Sequence, residues 1–301
     1  MKLCFSTLGC PDWDVWHVAT KAKEYGFDAV ELRISGDRHV DTALTKHERH
    51  AIAEHFQQHG IEILCLGGYT RWNQDNVAYI ENMKQSMREN IDLAVDLGAK
   101  YIRTFIGQYP PEVKEETVVQ IAAQSLNECG LIAEQKGVQI LIETHDAFGT
   151  AQKVNQIIKN IQSNGVAVLW DIEHTMVRGE TMQETYALLG DKIKHLHIKD
   201  VRLKNDETNT TGMPTDTSVI PTDTSGTLTY TSGTQTYTSG TPTYTSCMPG
   251  EGILPLAETI HFMKANGFSG AYSLEWEKTW NAELAEPEEI FPKYISYIKS
   301  L

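Results

Sequence analysis

The chain has 301 residues and a formal net charge of −14, from 26 lysines and arginines against 40 aspartates and glutamates. This acidity opposes nonspecific binding to DNA or to an anionic membrane, because their phosphate groups would repel it. Hydrophobic residues make up 41% of the chain, enough for a folded core, and no apolar run approaches the length of about 18 residues that a membrane span needs. The five cysteines are scattered without a C-x-x-C pair, so we expect no disulfides, no structural zinc site and a cytoplasmic location.

Short apolar runs alternate along the chain with longer amphipathic stretches. The runs are Leu3–Thr7, Ala29–Arg33, Glu62–Leu66, Tyr101–Phe105, Gln139–Glu143, Val166–Asp171, Ile193–Lys199 and Ala271–Glu275. Several follow a glycine, such as Gly26, Gly60 or Gly98, which is typical of a helix that ends in a left-handed cap. Eight strand–helix units predict an α/β fold, a single-domain (β/α)8 TIM barrel over residues 1–301. A doubly wound open sheet is the alternative, but the glycine-rich phosphate turn that usually follows its first strand is missing.

A low-complexity insertion, residues 205–248, interrupts this alternation after the seventh strand. From Pro214 to Met248 the chain repeats a seven-residue unit that is rich in Thr, Ser and Gly and contains no Lys or Arg. The unit lacks the apolar seam of a coiled coil, so we expect a flexible or loosely ordered loop on the active-site face of the barrel. It could act as a lid or as a docking arm for a partner. We favour the alternative, a repeat expansion that a surface loop tolerates, because long loops cost little to close.

Acidic and histidine residues stand at the ends of four consecutive predicted strands. Strand 5 ends at Glu143, strand 6 ends at Asp171, strand 7 contains His197 and strand 8 ends at Glu275. The ends of parallel barrel strands share one rim, where three carboxylates would repel one another unless a cation lay between them. The set predicts one divalent metal ion, and carboxylate and imidazole ligands together suit Mn²⁺, Zn²⁺, Co²⁺, Fe²⁺ or Mg²⁺. Helix caps and surface salt bridges are the alternative.

These strand ends resemble the xylose isomerase-like TIM-barrel superfamily, which includes sugar phosphate isomerases and epimerases, inosose-processing enzymes and the AP endonuclease family 2 fold of endonuclease IV. The resemblance rests on Ile142–His145, Leu169–His174, His195–Arg202, Pro249–Leu256 and Tyr272–Glu277. It implies that the four strand-end residues named above ligate a single divalent metal, often Mn²⁺. The tandem repeat departs from the family pattern, in which the link to Gly250-Glu251-Gly252 is short.

Three residues near the strand exits are candidates for binding the substrate. The resemblance implies that His174 and Arg202 contact substrate oxygens. Trp13 could form a wall of a sugar site by stacking, although ordinary packing would explain it equally well. His145, just past Glu143, has no clear assignment.

Glu31, in the second strand, is a fourth candidate for substrate binding. Its carboxylate could bond to sugar hydroxyls, or it could form an ion pair inside the barrel with Arg33 or Arg103, which is the interpretation we favour. His195 shares strand parity with His197 but lies deeper in the barrel. We therefore expect it to support a ligand or to be a core histidine.

The predicted constellation suits proton transfer next to a carbonyl group. A metal can act as a Lewis acid on a carbonyl and a hydroxyl of the substrate, and so stabilise an enediolate. Glu143 and Glu275 come from different strands and could approach opposite faces of the reacting carbon, one removing a proton and the other returning it. We predict a metal-dependent sugar or polyol isomerase or epimerase with a small, unphosphorylated or singly charged substrate. The alternative is a lyase, because His197-x-x-Asp200-x-Arg202 also resembles the inosose dehydratase branch.

An endonuclease IV-like DNA repair enzyme and a non-catalytic scaffold fit the sequence less well. An endonuclease IV-like enzyme needs ligands for three zinc ions, but strand 3 leads into Cys65-Leu66-Gly67-Gly68 and strand 4 offers Arg103. A non-catalytic scaffold would leave the four converging ligands without a purpose. We expect no nucleic-acid or membrane partner, and the sequence is compatible with an assembly of identical chains.

Overall fold

The apolar runs form eight parallel strands that close into a barrel. The structure, a computed structural model, describes residues 1–35, 39–204, 228–231, 234–237 and 243–301. The barrel strands are β1 (Lys2–Ser6), β2 (Ala29–Arg33), β3 (Glu62–Gly67), β4 (Tyr101–Thr104), β5 (Gln139–Glu143), β6 (Val166–Asp171), β7 (Ile193–Ile198) and β12 (Ala271–Leu274). Each pairs in parallel with its neighbours in the order β1-β12-β7-β6-β5-β4-β3-β2. The predicted (β/α)8 barrel is confirmed.

Helices connect the strands and cover the outside of the barrel. They are α1 (Val15–Tyr25), α2 (Lys46–His59), α3 (Val77–Leu97), α4 (Glu115–Gln135), α5 (Ala151–Ile158), α6 (Ile172–Met176), α7 (Met182–Leu189), α8 (Leu256–Ala265) and α9 (Pro287–Lys299). Thr45 and Glu48 form a capping box that starts α2. Gly26 and Gly98 end α1 and α3 at positive φ, which L side chains rarely adopt, so the predicted helix stops are confirmed there. No helix among the described residues is long and apolar enough to cross a membrane.

The alternation of side chains along each strand divides the core into two regions. A large apolar cluster lies between the sheet and the helices, and its largest side chains include Trp72, Trp170 and Phe291. Small clusters, one built on Cys4, Ala29, Leu64 and Ala271, fill the inside of the barrel. Glu31, His195 and His197 are also buried, and their parity points them inward with Cys4 and Ala29. The barrel interior is therefore apolar near one end and strongly polar towards the carboxyl ends of its strands.

Two short strands form a hairpin stem at the base of the predicted insertion. β8 (Asp200–Leu203) pairs antiparallel with β11 (Tyr244–Cys247), and the Lys204 amide donates to the Thr243 carbonyl at 2.9 Å. The end of the segment that we expected to be loosely ordered is thus a strand. Strands β9 (Leu228–Thr231) and β10 (Thr234–Tyr237) also pair antiparallel. The rest of the predicted insertion, residues 205–227, 232–233 and 238–242, lies outside the described residues.

Asp200 fastens this stem to the segment that follows it. Its Oδ1 accepts the amides of Val201 (2.9 Å) and Leu254 (3.2 Å), and its Oδ2 accepts those of Gly250 (2.9 Å) and Gly252 (3.0 Å). A Cβ atom on Gly252 would lie 2.1 Å from Asp200 Oδ1, so only glycine fits at that position. One buried carboxylate therefore holds both ends of the seventh loop in place.

Candidate metal centre

The four predicted metal ligands meet at the carboxyl ends of β5, β6, β7 and β12. One ligand atom from each of Glu143, Asp171, His197 and Glu275 lies within 4.8 Å of all the others. Glu143 and Asp171 are the last residues of their strands, and Glu275 directly follows the end of β12. All four residues are buried. The structure thus brings together the set that was predicted from the strand ends.

Several polar atoms of this cluster point at one another without forming hydrogen bonds. His197 Nδ1 lies 2.8 Å from Glu143 Oε1, 3.1 Å from Glu275 Oε2 and 3.8 Å from Asp171 Oδ2. Nevertheless His197 Nδ1, both Glu143 oxygens, Asp171 Oδ2 and Glu275 Oε2 are buried without a hydrogen-bond partner. Arg103 and Lys199 make cationic contacts with these atoms, and three carboxylates with one imidazole are also the donors that a divalent cation of intermediate hardness prefers. The residues therefore fit the predicted ion.

Arg103 of β4 lies beside two of these carboxylates. Its Nη1 is 3.2 Å from Glu275 Oε1 and 3.5 Å from Glu143 Oε2, and its guanidinium packs on the rings of Tyr69 and Phe105. Burial opposes the charged form of Glu143, but Arg103 and His197 outweigh it and lower the pKa of that carboxyl. In each glutamate one oxygen faces His197 and the other faces Arg103. Both carboxylates are therefore held ionised.

Lys199, just past the end of β7, forms a second cationic contact with the cluster. Its Nζ lies 2.6 Å from Glu275 Oε2, 3.0 Å from Asp171 Oδ2 and 3.0 Å from Glu277 Oε1. Burial disfavours its charge, but Asp171 and Glu275 outweigh that penalty and raise the pKa of Lys199 well above its usual value. Burial raises the pKa of Asp171, and Lys199 opposes the shift. The ammonium group compensates the excess negative charge at this rim.

Two histidines pack against each other beside the ligands. The rings of His145 and His174 meet edge to face, with centroids 4.5 Å apart, and His174 Nε2 lies 3.7 Å from Asp171 Oδ2. Burial opposes protonation of His145, but a bond to Asp146 outweighs it and raises the pKa of His145. Burial, followed by repulsion from His145 and Lys199, lowers the pKa of His174 well below its usual value. One ring therefore favours the charged form and its neighbour the neutral form.

Glu31 lies beneath the ligands, where it does not face a substrate cavity. Both of its oxygens are 3.2 Å from His197 Nε2, and Oε1 is 2.9 Å from His195 Nε2. The expected ion pair with an arginine is absent among the described contacts, because Arg103 turns to Glu143 and Glu275 and Arg33 bonds to Thr279. The favoured ion pair of Glu31 with an arginine is thus corrected to contacts with His197 and His195, and its part in substrate binding stays a prediction.

Trp13 and Arg202 are not brought to the cluster. Trp13 is 7% exposed, its ring packs against His17 and Phe291, and its indole nitrogen donates to Glu288. Arg202 points outward from the stem and pairs with Glu251 at 2.7 Å, with both side chains about half exposed. Trp13 packs as its alternative interpretation expected and Arg202 forms a surface ion pair, and substrate contacts of both residues stay predictions. His174, by contrast, lies beside Asp171, as expected.

Two residues of the centre were not assigned to it from the sequence. Lys199 follows His197 by two positions, and this spacing, which places both side chains on one side of a strand, is a signal that could have identified it. Arg103 was considered only as a partner of Glu31. Its distance from Glu275 in the sequence, 172 positions, leaves no local signal for the contact that forms.

The closed barrel and the acidic cluster at its carboxyl end define a (β/α)8 barrel with a candidate metal centre, and a family model matches this chain. The model of the xylose isomerase-like TIM barrel matches residues 19–301, and the chain belongs to this family. The chain is 24% identical over 206 residues to inosose isomerase of Bacillus velezensis, and the aligned residues are 66% of this chain and 72% of the relative. It is 22% identical over 233 residues to inosose dehydratase of Geobacillus thermodenitrificans, which covers 73% and 70%.

Solved structures of low sequence identity share the whole barrel. One is the IOLI protein with a zinc atom, with a TM-score of 0.71 at 20% identity, covering 100% of this chain and 96% of the other. Another is D-psicose 3-epimerase in the presence of D-fructose, with a TM-score of 0.73 at 16% identity, covering 100% and 99%. At such identities the likeness shows the fold alone.

Proposed function

We propose that this protein is a metal-dependent isomerase or epimerase of sugars or polyols. The observation that carries the proposal is the convergence of Glu143, Asp171, His197 and Glu275, which are buried and offer ligand atoms within 4.8 Å of one another. The same four residues would hold the ion, and Mn²⁺ and Zn²⁺ are the first two to test. When bound, a divalent ion supplies Lewis-acid stabilisation for negative charge that develops on substrate oxygens.

Glu143 and Glu275 would move the proton at the reacting carbon. They come from β5 and β12, so they reach the centre from different sides of the barrel. Arg103 helps to keep both carboxylates ionised, because its charge offsets part of the effect of burial, which raises the pKa of each. An ionised carboxylate can accept a proton. Removal of a proton by one carboxylate and its return by the other at the opposite face of the same carbon gives epimerisation. Return to the neighbouring carbon gives isomerisation.

The relatives support a carbohydrate substrate. A sequence relative is an inosose isomerase, and a solved structure with the same fold is a D-psicose 3-epimerase. A polyhydroxylated ketone is therefore the substrate class that we propose. The zinc atom named with the IOLI protein supports a divalent ion as the cofactor. The chemistry of neighbouring hydroxyl and carbonyl groups suits the mixture of charged and neutral side chains around the centre.

Solvent exchange tests the proposal directly. The protein, loaded with Mn²⁺ or Zn²⁺, is incubated in deuterated water with a panel of ketoses and inososes, and deuterium entering the carbon next to the carbonyl is followed by NMR. Glu275→Gln should lower the exchange rate by about 10²–10⁴-fold, the usual contribution of a general base. Glu277→Gln is the matched control, because this partly exposed carboxylate contacts Lys199 and no ligand atom directly. Full activity of Glu275→Gln would contradict the assignment of the base.

A dehydratase acting on inososes is the second candidate, and the pair His145–His174 favours it. His145 and His174 lie beside the proposed metal ligands, where an imidazolium group could protonate a hydroxyl as it leaves the carbon next to the carbanion. The relative from Geobacillus thermodenitrificans is an inosose dehydratase. Mass spectrometry of the same reactions separates the two: loss of water from the substrate supports the lyase, and an unchanged mass with deuterium incorporation supports the isomerase or epimerase.

A further inference from the structure

His197 is held from both sides of its ring. On one side its Nδ1 faces Glu143 and Glu275 at 2.8 Å and 3.1 Å. On the other side its Nε2 lies 3.2 Å from each oxygen of Glu31. A neutral imidazole carries one N–H, so the partner that accepts it decides which nitrogen offers a lone pair to an ion.

The two glutamates on the Nδ1 side create a competition for that proton. A carboxylate attracts an N–H, so Glu143 and Glu275 favour the tautomer with hydrogen on Nδ1, and that tautomer has no lone pair directed at the centre. Only an acceptor of comparable strength on the opposite side can keep the hydrogen on Nε2. Among the described residues Glu31 makes the carboxylate contact at this nitrogen.

Glu31 is itself fixed in place. It is 2% exposed, Ser273 of β12 donates a hydrogen bond to its Oε1, and His195 Nε2 lies 2.9 Å from the same oxygen. These contacts orient the carboxylate from below, away from the rim at which a substrate would enter. Its position therefore suits the support of a ligand better than recognition of a sugar.

We propose that Glu31 is a positioning residue of the metal centre, which accepts the Nε2–H of His197 and leaves Nδ1 free to bind the ion. This inference rests on the proposed function, because it takes the centre to bind a metal. Partners that bond to a metal-binding histidine fix its tautomer and ring orientation, and their loss usually lowers metal affinity by about 10- to 100-fold. Ser273 would contribute less, since it acts only through Glu31.

The test measures Zn²⁺ binding to the full chain by calorimetry, together with the thermal midpoint of the metal-free protein. Glu31→Gln should weaken Zn²⁺ binding by about 10- to 100-fold while the metal-free midpoint falls little. Ser273→Ala should weaken binding by a smaller factor, and it keeps the inference testable if Glu31→Gln does not fold. Glu277→Gln is the control for loss of one negative charge near the centre, and its affinity should stay within about threefold of the parent, as expected for a carboxylate that is not bonded to a ligand.

A second measurement reports the hydrogen bond itself. In zinc-loaded protein labelled with ¹⁵N-histidine, the Nε2–H of His197 should appear as a slowly exchanging proton at low field, and Glu31→Gln, whose neutral amide oxygen is a weaker acceptor, should move it upfield and speed its exchange. Parent protein that binds Zn²⁺ while Glu31→Gln binds it equally well would overturn this inference alone. Parent protein that binds no divalent ion would overturn both the inference and the proposed function. Cys4, Glu31 and His195 also offer ligand atoms within 4.8 Å of one another. Two bound ions, one of them lost in both Glu31→Gln and Cys4→Ser, would therefore make Glu31 a direct ligand and overturn the inference.

Discussion

Replacement of Asp200 by Asn should destabilise the protein, because four backbone amides depend on its carboxylate. Two of them bond to each oxygen, at distances between 2.9 Å and 3.2 Å. Asn keeps one carbonyl oxygen but presents an NH₂ group where the other oxygen was, so two amide donors face a donor instead of an acceptor. The shape of the side chain is otherwise conserved, which isolates the effect of the lost acceptor.

The magnitude follows from the number of bonds. A hydrogen bond to a charged group contributes about 1.5–3 kcal/mol, so the two bonds lost with one acceptor oxygen remove about 3–6 kcal/mol. Burial raises the pKa of Asp200, although the four amide bonds oppose this shift. The neutral Asn side chain therefore avoids part of the free-energy cost of burying a charge. We therefore expect the lower end of the range, about 3 kcal/mol, as the loss in free energy of unfolding.

Urea unfolding of both proteins, followed by circular dichroism, measures this loss. Glu251→Gln is the control, because it removes one negative charge from the same loop but breaks only a half-exposed pair with Arg202, which contributes about 0–1 kcal/mol. If Asp200→Asn unfolds within about 1 kcal/mol of the parent, the amide bonds to Asp200 contribute no more than a surface pair, and our account of the loop is refuted.

Further predictions address the insertion, the metal, the arginine and acid stability. Replacing residues 205–242 by Asn-Gly should leave the thermal midpoint unchanged or higher, because a two-residue turn can join Lys204 to Thr243; a lower midpoint in calorimetry would contradict this. Removal of metal by a chelator should lower the midpoint, since the buried carboxylates of the centre then repel one another; no shift in a thermal melt would count against the centre. Arg103→Met should move the acid limb of the pH–rate profile to higher pH, because Arg103 lowers the pKa of Glu143 and its loss keeps the base protonated to higher pH. Burial opposes the charge of Glu62, but bonds from Lys100 and Lys2 outweigh it and lower the pKa. The stability that this group contributes is present above about pH 4.5 and is lost as the pH falls through the lowered value, so Glu62→Gln should flatten the acid limb of the stability curve in urea titrations.

The barrel and its ligands could be predicted because both depend on periodic features. Strand–helix alternation gives the barrel, and residues at the ends of parallel strands share a rim, so Glu143 and Asp171 converge whatever the details of packing. The bounds of β2, β5 and β6 agree with prediction, whereas the predicted strands ending at Phe105, Lys199 and Glu275 run one residue past the last ladder position. Strand ends depend on local pairing, which composition specifies weakly.

The partners of individual side chains were harder to predict. Glu31 has the parity of an inward residue, but its choice of His197 over an arginine depends on distances across the barrel that no short-range pattern encodes. Trp13 precedes α1 and packs on α9, which lies at the other end of the chain. Arg202 points outward because it lies in the antiparallel stem, whose two strands are separated in the sequence by the repeat. In each case a long-range contact decides where the side chain lies.

The hairpin stem should let the number of tandem repeats change without disturbing the barrel. Slippage during DNA replication adds or removes whole copies of a short tandem repeat, and a seven-residue unit keeps the reading frame each time. Because Lys204 and Thr243 are bonded neighbours at the base of the insertion, we expect such events to leave the spacing of the eight barrel strands unchanged. Natural variants of this protein should therefore differ in the number of repeats while retaining the four candidate metal ligands.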